Sequence, residues 1–202
     1  MSEVCSFLPV AQADARVLVL GSMPGVASLS AGQYYAHRRN AFWPIMGALL
    51  GFDPAAPYVQ RLAALQAAHI AVWDVLQSCS RTGSLDASIA RASEVANDFP
   101  RFFRQHPHIA HVFFNGTAAE AAFRRHVLPQ LAQSGLAMTR LPSTSPANAS
   151  FSFDRKLAEW RSAFDAVRGC HSGPSTSSGR AGLCSSRNPA MSGVPGSRLP
   201  PG

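Results

Sequence analysis

"IAHVFFNGTAAEAAFRRHVL", residues 109–128, decides how the chain is read. Residues 109–115 form an apolar run that stops at Asn115, the mark of a short buried strand. Residues 116–128 read as a helix, with Thr117 and Glu120 at capping-box spacing. The same alternation recurs on both sides. Upstream, "RVLVLG" (16–21) is an apolar run ending in glycine, and "HIAVWDVL" (69–76) is another, with Asp74 near its exit. Downstream, "LAMTRLP" (136–142) is a fourth strand. Helical segments separate them. Phe42, Ile45, Met46, Leu49 and Leu50 fall on one helical face, with Pro44 tolerated in the first turn. A second helix is expected over 57–67 and a short one over 98–106. Phe153, Leu157, Trp160, Phe164 and Val167 give the face of a last one. Strands separated by helices imply parallel pairing through right-handed crossovers. The expected fold is α/β: a three-layer α/β/α sandwich around a four-stranded parallel sheet.

The composition divides the chain. Residues 1–168 carry this pattern and suffice for one domain with a sizeable core. Residues 169–202 contain no Asp, Glu or aromatic residue and are mostly Ser, Gly and Pro. Such a segment buries too little apolar surface to offset its ordering entropy, so it is expected to be a disordered tail. The whole chain is basic, with 18 Lys+Arg against 11 Asp+Glu, and only Lys156 is a lysine. Arginine forks suit phosphates and stack on bases; a GC-rich genome would give the same bias. No apolar stretch is long enough for a membrane span, and the N-terminus has no signal pattern. Cys5, Cys79, Cys170 and Cys184 are scattered, as are the seven histidines, so neither a metal centre nor a cofactor is expected. The simplest reading is a reduced cytoplasmic protein.

Sites in open parallel sheets lie at the carboxyl ends of the strands. The first strand runs into "GSMPGVASLS" (21–30), where Gly21 permits close approach of a ligand. It has neither the GxGxxG spacing of a dinucleotide fold nor the GK[ST] of a phosphate loop. The second runs into "WDVLQSCSRTGSLDASI" (73–89), a long polar loop holding Asp74 and Ser78. The third ends at Asn115. The fourth opens into "LPSTSPANAS" (141–150). A fifth polar stretch, "GQYYAHRRNAFW" (32–43), precedes the first long helix. No serine sits in GxSxG and no nucleophilic triad stands out. These parts suit a phosphate backbone and one planar base.

Together "GSMPG", "YYAHRRNAFW", "WDVLQSCSRTGSLD", "FFNGTAA" and "LPSTSPANAS", in this order, resemble the uracil-DNA glycosylase superfamily. The match is nearest its hypoxanthine (deoxyinosine) DNA glycosylase branch and runs from about Arg16 to about Val167. The resemblance implies an enzyme that flips a deaminated base out of DNA and hydrolyses its N-glycosidic bond. It implies no metal and no covalent intermediate. It makes Tyr35 the aromatic that stacks on the extruded base. It gives Asn40 the catalytic part, placing the water that attacks the sugar. Relatives acting on uracil carry a polar group where Met23 stands, so strong uracil excision is not expected. Asn40 would equally cap the helix beginning near Phe42.

Gly21, Ser22, Met23 and Pro24 are expected to line the base pocket. Asn115 is the first side-chain candidate for reading the base, with Asp74 and Ser78 behind it. Asn115 also suits a turn before Gly116, and Asp74 a loop cap. His37, Arg38 and Arg39 would contact phosphates, as would Ser143, Thr144 and Ser145 on a loop stiffened by Pro142 and Pro146. The expected partners are DNA containing deaminated bases and the enzymes that process abasic sites; a monomer is expected. The alternatives are a uracil or broader deaminated-base glycosylase and a non-catalytic binder of damaged DNA.

Overall fold

The structure is a computed structural model that describes residues 2–131 and 135–169. In chain order the strands are β1 (Ser2–Cys5), β2 (Val17–Gly21), β3 (Ile70–Asp74), β4 (Leu76–Arg81), β5 (Val95–Ala96), β6 (His111–Asn115) and β7 (Ala137–Leu141). The helices are α1 (Val26–Ala31), α2 (Phe42–Leu50), α3 (Tyr58–Ala67), α4 (Phe99–Gln105), α5 (Thr117–His126) and α6 (Phe153–Gly169). Four strands form the expected parallel sheet in the order β3-β2-β6-β7. Every residue of β2 and β3 is buried. A parallel strand covered on both faces has no solvent side, so its sequence is an unbroken apolar run.

Adjacent residues of β6 reveal the two outer layers. Phe113 packs against Phe164 of α6 at 5.0 Å between centroids, and Phe114 against Phe123 of α5 at 5.2 Å. Successive strand side chains point to opposite faces, so α6 and α5 cover opposite sides. Leu20 of β2 pairs in register with Trp73 and Phe114, and Trp73 meets Phe99 and Phe102 of α4. On the other side Phe42 of α2 packs edge-on against Trp160 of α6.

Three expectations change. Residues 76–81 are not loop: β4 pairs antiparallel with β1 and β5 in a small second sheet. Residues 26–31, read as loop, form the short helix α1. The Thr117–Glu120 capping box does not form. Gly116 is the N-cap of α5, with φ 102°, a left-handed conformation that favours glycine. Glu120 instead binds Arg124 and Arg140. The last helix ends at Gly169; residues 170–202, which make up nearly all of the expected tail, lie outside the described residues, together with Cys170 and Cys184.

Candidate active site

The exits of β2, β3 and β6 meet the loop after β7 around one cavity of about 140 Å³. Backbone bonds set the approach of the first two exits. Val75 N–H donates to Gly21 O at 2.9 Å and Leu76 N–H to Ser22 O at 3.1 Å. The chain leaving β3 is thereby laid along the Gly21–Ser22 turn. Asp74, at the end of β3, then sits over Gly21: a Cβ built on Gly21 would fall 2.3 Å from Asp74 Oδ1. The missing side chain at position 21 makes room for that carboxyl. Asn97 holds the exit from outside, its Nδ2 donating to Asp74 O at 2.9 Å.

Asp74 is buried, and its Oδ2 has no hydrogen-bond partner. Burial is the main reason its pKa is pushed up to about 8; the nearby charge of Asp86 adds to the rise and Arg81 opposes it. At neutral pH the carboxyl is therefore mostly protonated, one donor and one acceptor. Asp86 lies on the exposed lip of the same cavity, where Ser22 Oγ donates to its Oδ1 at 2.6 Å. Desolvation raises its pKa too, against the pull of Ser22 and Arg81. Arg81 is buried and donates to Pro24 O, fixing the turn after β2 from behind.

The two adjacent tyrosines divide their work. Tyr34 is structural: its N–H donates to Tyr58 Oη, its Oη to Leu8 O, and its carbonyl accepts from Trp43 Nε1. Tyr35 lines the cavity, stacked on Phe42 at 4.0 Å and 25°. Its φ of 55° is rare for a bulky residue, and its buried hydroxyl has no partner. Backbone strain and an unpartnered buried group both mark sites where function outweighs local stability.

Asn40 also lines the cavity, and its Oδ1 accepts from Phe42 N–H at 3.0 Å. A backbone N–H can only donate, so the oxygen must face it and the orientation of the amide is fixed. One lone pair of Oδ1 is left, and Nδ2 has no partner among the described residues. Asn40 is not the N-cap that the sequence suggested: that position is Ala41, which has no side-chain cap, and Asn40 stands one residue before it, bonded to the first N–H of α2.

Asn115 and Thr144 line the cavity but spend their polar groups on each other. Thr144 is fully buried, so its hydroxyl is not placed for a phosphate. Ser143 Oγ accepts from Ser145 N–H, and Ser145 Oγ from Ala147 N–H; both hydroxyls remain donors at the rim beside Pro146. The last helix braces this loop. Lys156 Nζ donates to Ser145 O at 3.3 Å and Trp160 Nε1 to Pro142 O at 3.0 Å.

Gly21, Ser22, Met23 and Pro24 also line the cavity, and so does His37, which the sequence had assigned to phosphate contact. Ser78 does not: it lies on β4, paired with Cys5. Arg38 and Arg39 are exposed outside this cavity. Asp86 and Ser84 also line the cavity, and Arg81 supports its wall; none of the three stood out in the sequence. Ser84 Oγ accepts from Val26 N–H, the first of α1, across 58 positions. An aspartate just after a glycine turn at a strand exit was the available signal for Asp86.

Among the described residues no group of His, Cys, Asp and Glu could hold a metal ion. No helix among them is long and apolar enough to cross a membrane.

This parallel sheet, with its site at the strand exits, is shared with a known group. The family model of the Uracil DNA glycosylase superfamily matches residues 8–167, and the chain belongs to that superfamily. Within it, the chain is similar to the Hypoxanthine DNA glycosylase of Methanosarcina acetivorans, 33% identical over 78% of this chain and 96% of the relative. It is also similar to the Hypoxanthine DNA glycosylase of Methanosarcina barkeri, 37% identical over 54% of this chain and 69% of the relative. A solution NMR structure of a candidate uracil DNA glycosylase from Methanosarcina acetivorans superposes with a TM-score of 0.70 at 32% identity. It covers 83% of this chain and 99% of the other.

Proposed function

We propose that the protein is a monofunctional DNA glycosylase that flips deoxyinosine out of DNA and hydrolyses its N-glycosidic bond. The product is free hypoxanthine and an abasic site, which abasic-site enzymes process further. The observation that carries this reading is the convergence of Tyr35, Asn40 and Asp74 on one cavity at the carboxyl ends of a parallel sheet. The relatives' names and the family match support it.

The chemistry follows from these groups. Tyr35, backed by Phe42, offers a flat face for the extruded purine. Hypoxanthine presents a lactam edge, an N1–H donor beside an O6 acceptor. A neutral Asp74 carboxyl matches that edge, its carbonyl accepting N1–H and its hydroxyl donating to O6. As the bond from C1′ to N9 breaks, its electron pair leaves with the purine and charge grows on the ring. A fixed donor at O6 stabilises that charge more than it stabilises the ground state. Asn40 holds the water whose oxygen bonds to C1′; the proton that water loses ends on the departing purine after release to solvent. Asparagine is not a base, so its contribution is position rather than proton abstraction.

Uracil and xanthine carry the same lactam pair, so the cavity suits them too; Met23, where uracil relatives have a polar group, turns the preference toward hypoxanthine. One chain supplies every group used, consistent with a monomer acting on DNA in the cytoplasm. The reading is tested with oligonucleotides carrying deoxyinosine, deoxyuridine or deoxyxanthosine, followed by alkaline cleavage of abasic sites. Strand breaks at deoxyinosine are expected, and no breaks at any of the three would refute it.

A further inference from the structure

A second cavity, of about 300 Å³, lies against the first. Tyr35, His37 and Asn40 line both, so the two share a wall. No aspartate or glutamate lines the second cavity, but Arg38 and Arg61 do. Arg61, on α3, is held in place by its neighbours. Its guanidinium lies 4.5 Å from the Trp43 ring centre and 5.3 Å from that of Tyr58, and its Nη2 donates to Gln33 Oε1 at 3.3 Å.

What Arg61 lacks is an anion. Its Nε is buried without a partner, and none of the salt bridges among the described residues involves it. Burial pulls its pKa below the ordinary value, yet a guanidinium stays charged at any physiological pH. A partly desolvated cation without a counter-charge is costly. A protein that keeps one beside a nucleic-acid site gains when an anion arrives. Stacking on two rings also pre-orders the fork, so little rotamer entropy is lost on binding.

We propose that this second cavity takes a phosphodiester of the DNA strand that carries the flipped nucleotide, with Arg61 as the fixed contact and Arg38 as the mobile one. The proposal rests on the glycosylase reading, because the strand enters only if the base occupies the neighbouring cavity. The geometry favours a phosphate next to the lesion. The cavity begins where the Tyr35–Asn40 wall ends, and a flipped nucleotide leaves its flanking phosphates beside the mouth of its pocket. Phosphate contacts of this kind fix register and carry no sequence information.

The test uses DNA with a tetrahydrofuran abasic-site analogue, which cannot be turned over, and replaces one phosphate at a time by an uncharged methylphosphonate. Wild type should bind roughly tenfold more weakly when one phosphate flanking the lesion is neutralised, the effect expected for a lost charged hydrogen bond. Arg61→Gln should bind weakly from the start, no longer respond at that position, and have a salt slope smaller by about 1. Ala55→Glu places a carboxylate in the cavity from an exposed position and leaves the stacking of Arg61 intact. It should reproduce the loss of response, and circular dichroism should find both variants folded.

Normal affinity and unchanged salt slope in both variants would overturn the proposal. So would weaker binding with every methylphosphonate position still responding as in wild type. Free phosphate shares the chemistry. Competition by inorganic phosphate beyond chloride at equal ionic strength, with no methylphosphonate position responding, would assign the cavity to a free anion and also overturn the proposal. Absence of deoxyinosine excision by wild type is a separate result: it refutes the glycosylase reading, whatever the phosphate scan gives.

Discussion

Asn115 and Thr144 are joined by two hydrogen bonds of 2.8 Å each, Asn115 Nδ2 to Thr144 Oγ1 and Thr144 N–H to Asn115 Oδ1. Thr144 O in turn accepts from Ala41 N–H at 2.9 Å, next to Asn40. The exit of β6, the loop after β7 and the start of α2 are thus one hydrogen-bonded unit. Asn115 ties these three elements together through both ends of its amide. Asn115→Ala leaves a buried N–H unpaired, which costs about 1–3 kcal/mol. Denaturant unfolding should register that loss, and single-turnover excision should fall with it. Wild-type stability in Asn115→Ala would mean the unit is not held this way.

Asp74 gives a pH signature. Its folded pKa, about 8, lies above its ordinary 3.8. Between those values the folded state binds more protons than the unfolded one. Stability from this group is full below about pH 4 and declines as pH rises to about 8. The excision kcat/KM should likewise fall as pH passes about 8, where the donor to O6 is lost. Asp74→Asn has the same donor–acceptor pair at every pH. It should retain excision, flatten the alkaline limb and gain stability over wild type at high pH. An unchanged alkaline limb in Asp74→Asn would take the carboxyl out of the reaction.

Gly21 tests the same carboxyl by crowding. A Cβ there would fall 2.3 Å from Asp74 Oδ1, so the carboxyl must move; at Gly25 the nearest contact would be an ordinary 3.8 Å. Gly21→Ala should lose excision by a larger factor than its stability loss explains, whereas Gly25→Ala should behave like wild type. Melting temperatures and excision rates of the pair decide this. Equal activity of the two variants would show that the position of Asp74 is unimportant.

The two strands of the parallel sheet that are buried throughout were the most legible: Val17–Gly21 and Ile70–Asp74 appear as apolar runs closed by Gly21 and Asp74 and need no partner to be recognised. Leu76–Arg81 was not. Its small polar residues owe their strand conformation to β1, more than 70 positions away in sequence. Helix α1 has six residues and takes a capping acceptor from Ser84, so nothing local announces it. The site loops were found by their place at strand exits. Roles within them depended on contacts: Tyr34 and Tyr35 are adjacent and both line the cavity, yet Tyr34 is tied to Tyr58, Leu8 and Trp43 by hydrogen bonds while the hydroxyl of Tyr35 has no partner. Asn115 and Thr144 looked free to bind a ligand because their mutual pairing spans 29 positions.

The central claim is that Asn40 places the attacking water for hypoxanthine release, and the most direct measurement is single-turnover excision of deoxyinosine by wild type and Asn40→Ala. Losing the bond to Phe42 N–H should cost only about 1 kcal/mol of stability. Excision should fall roughly 100- to 1000-fold, the scale of removing one preorganised polar group from a transition state. Near-wild-type excision by a folded Asn40→Ala protein would contradict the account.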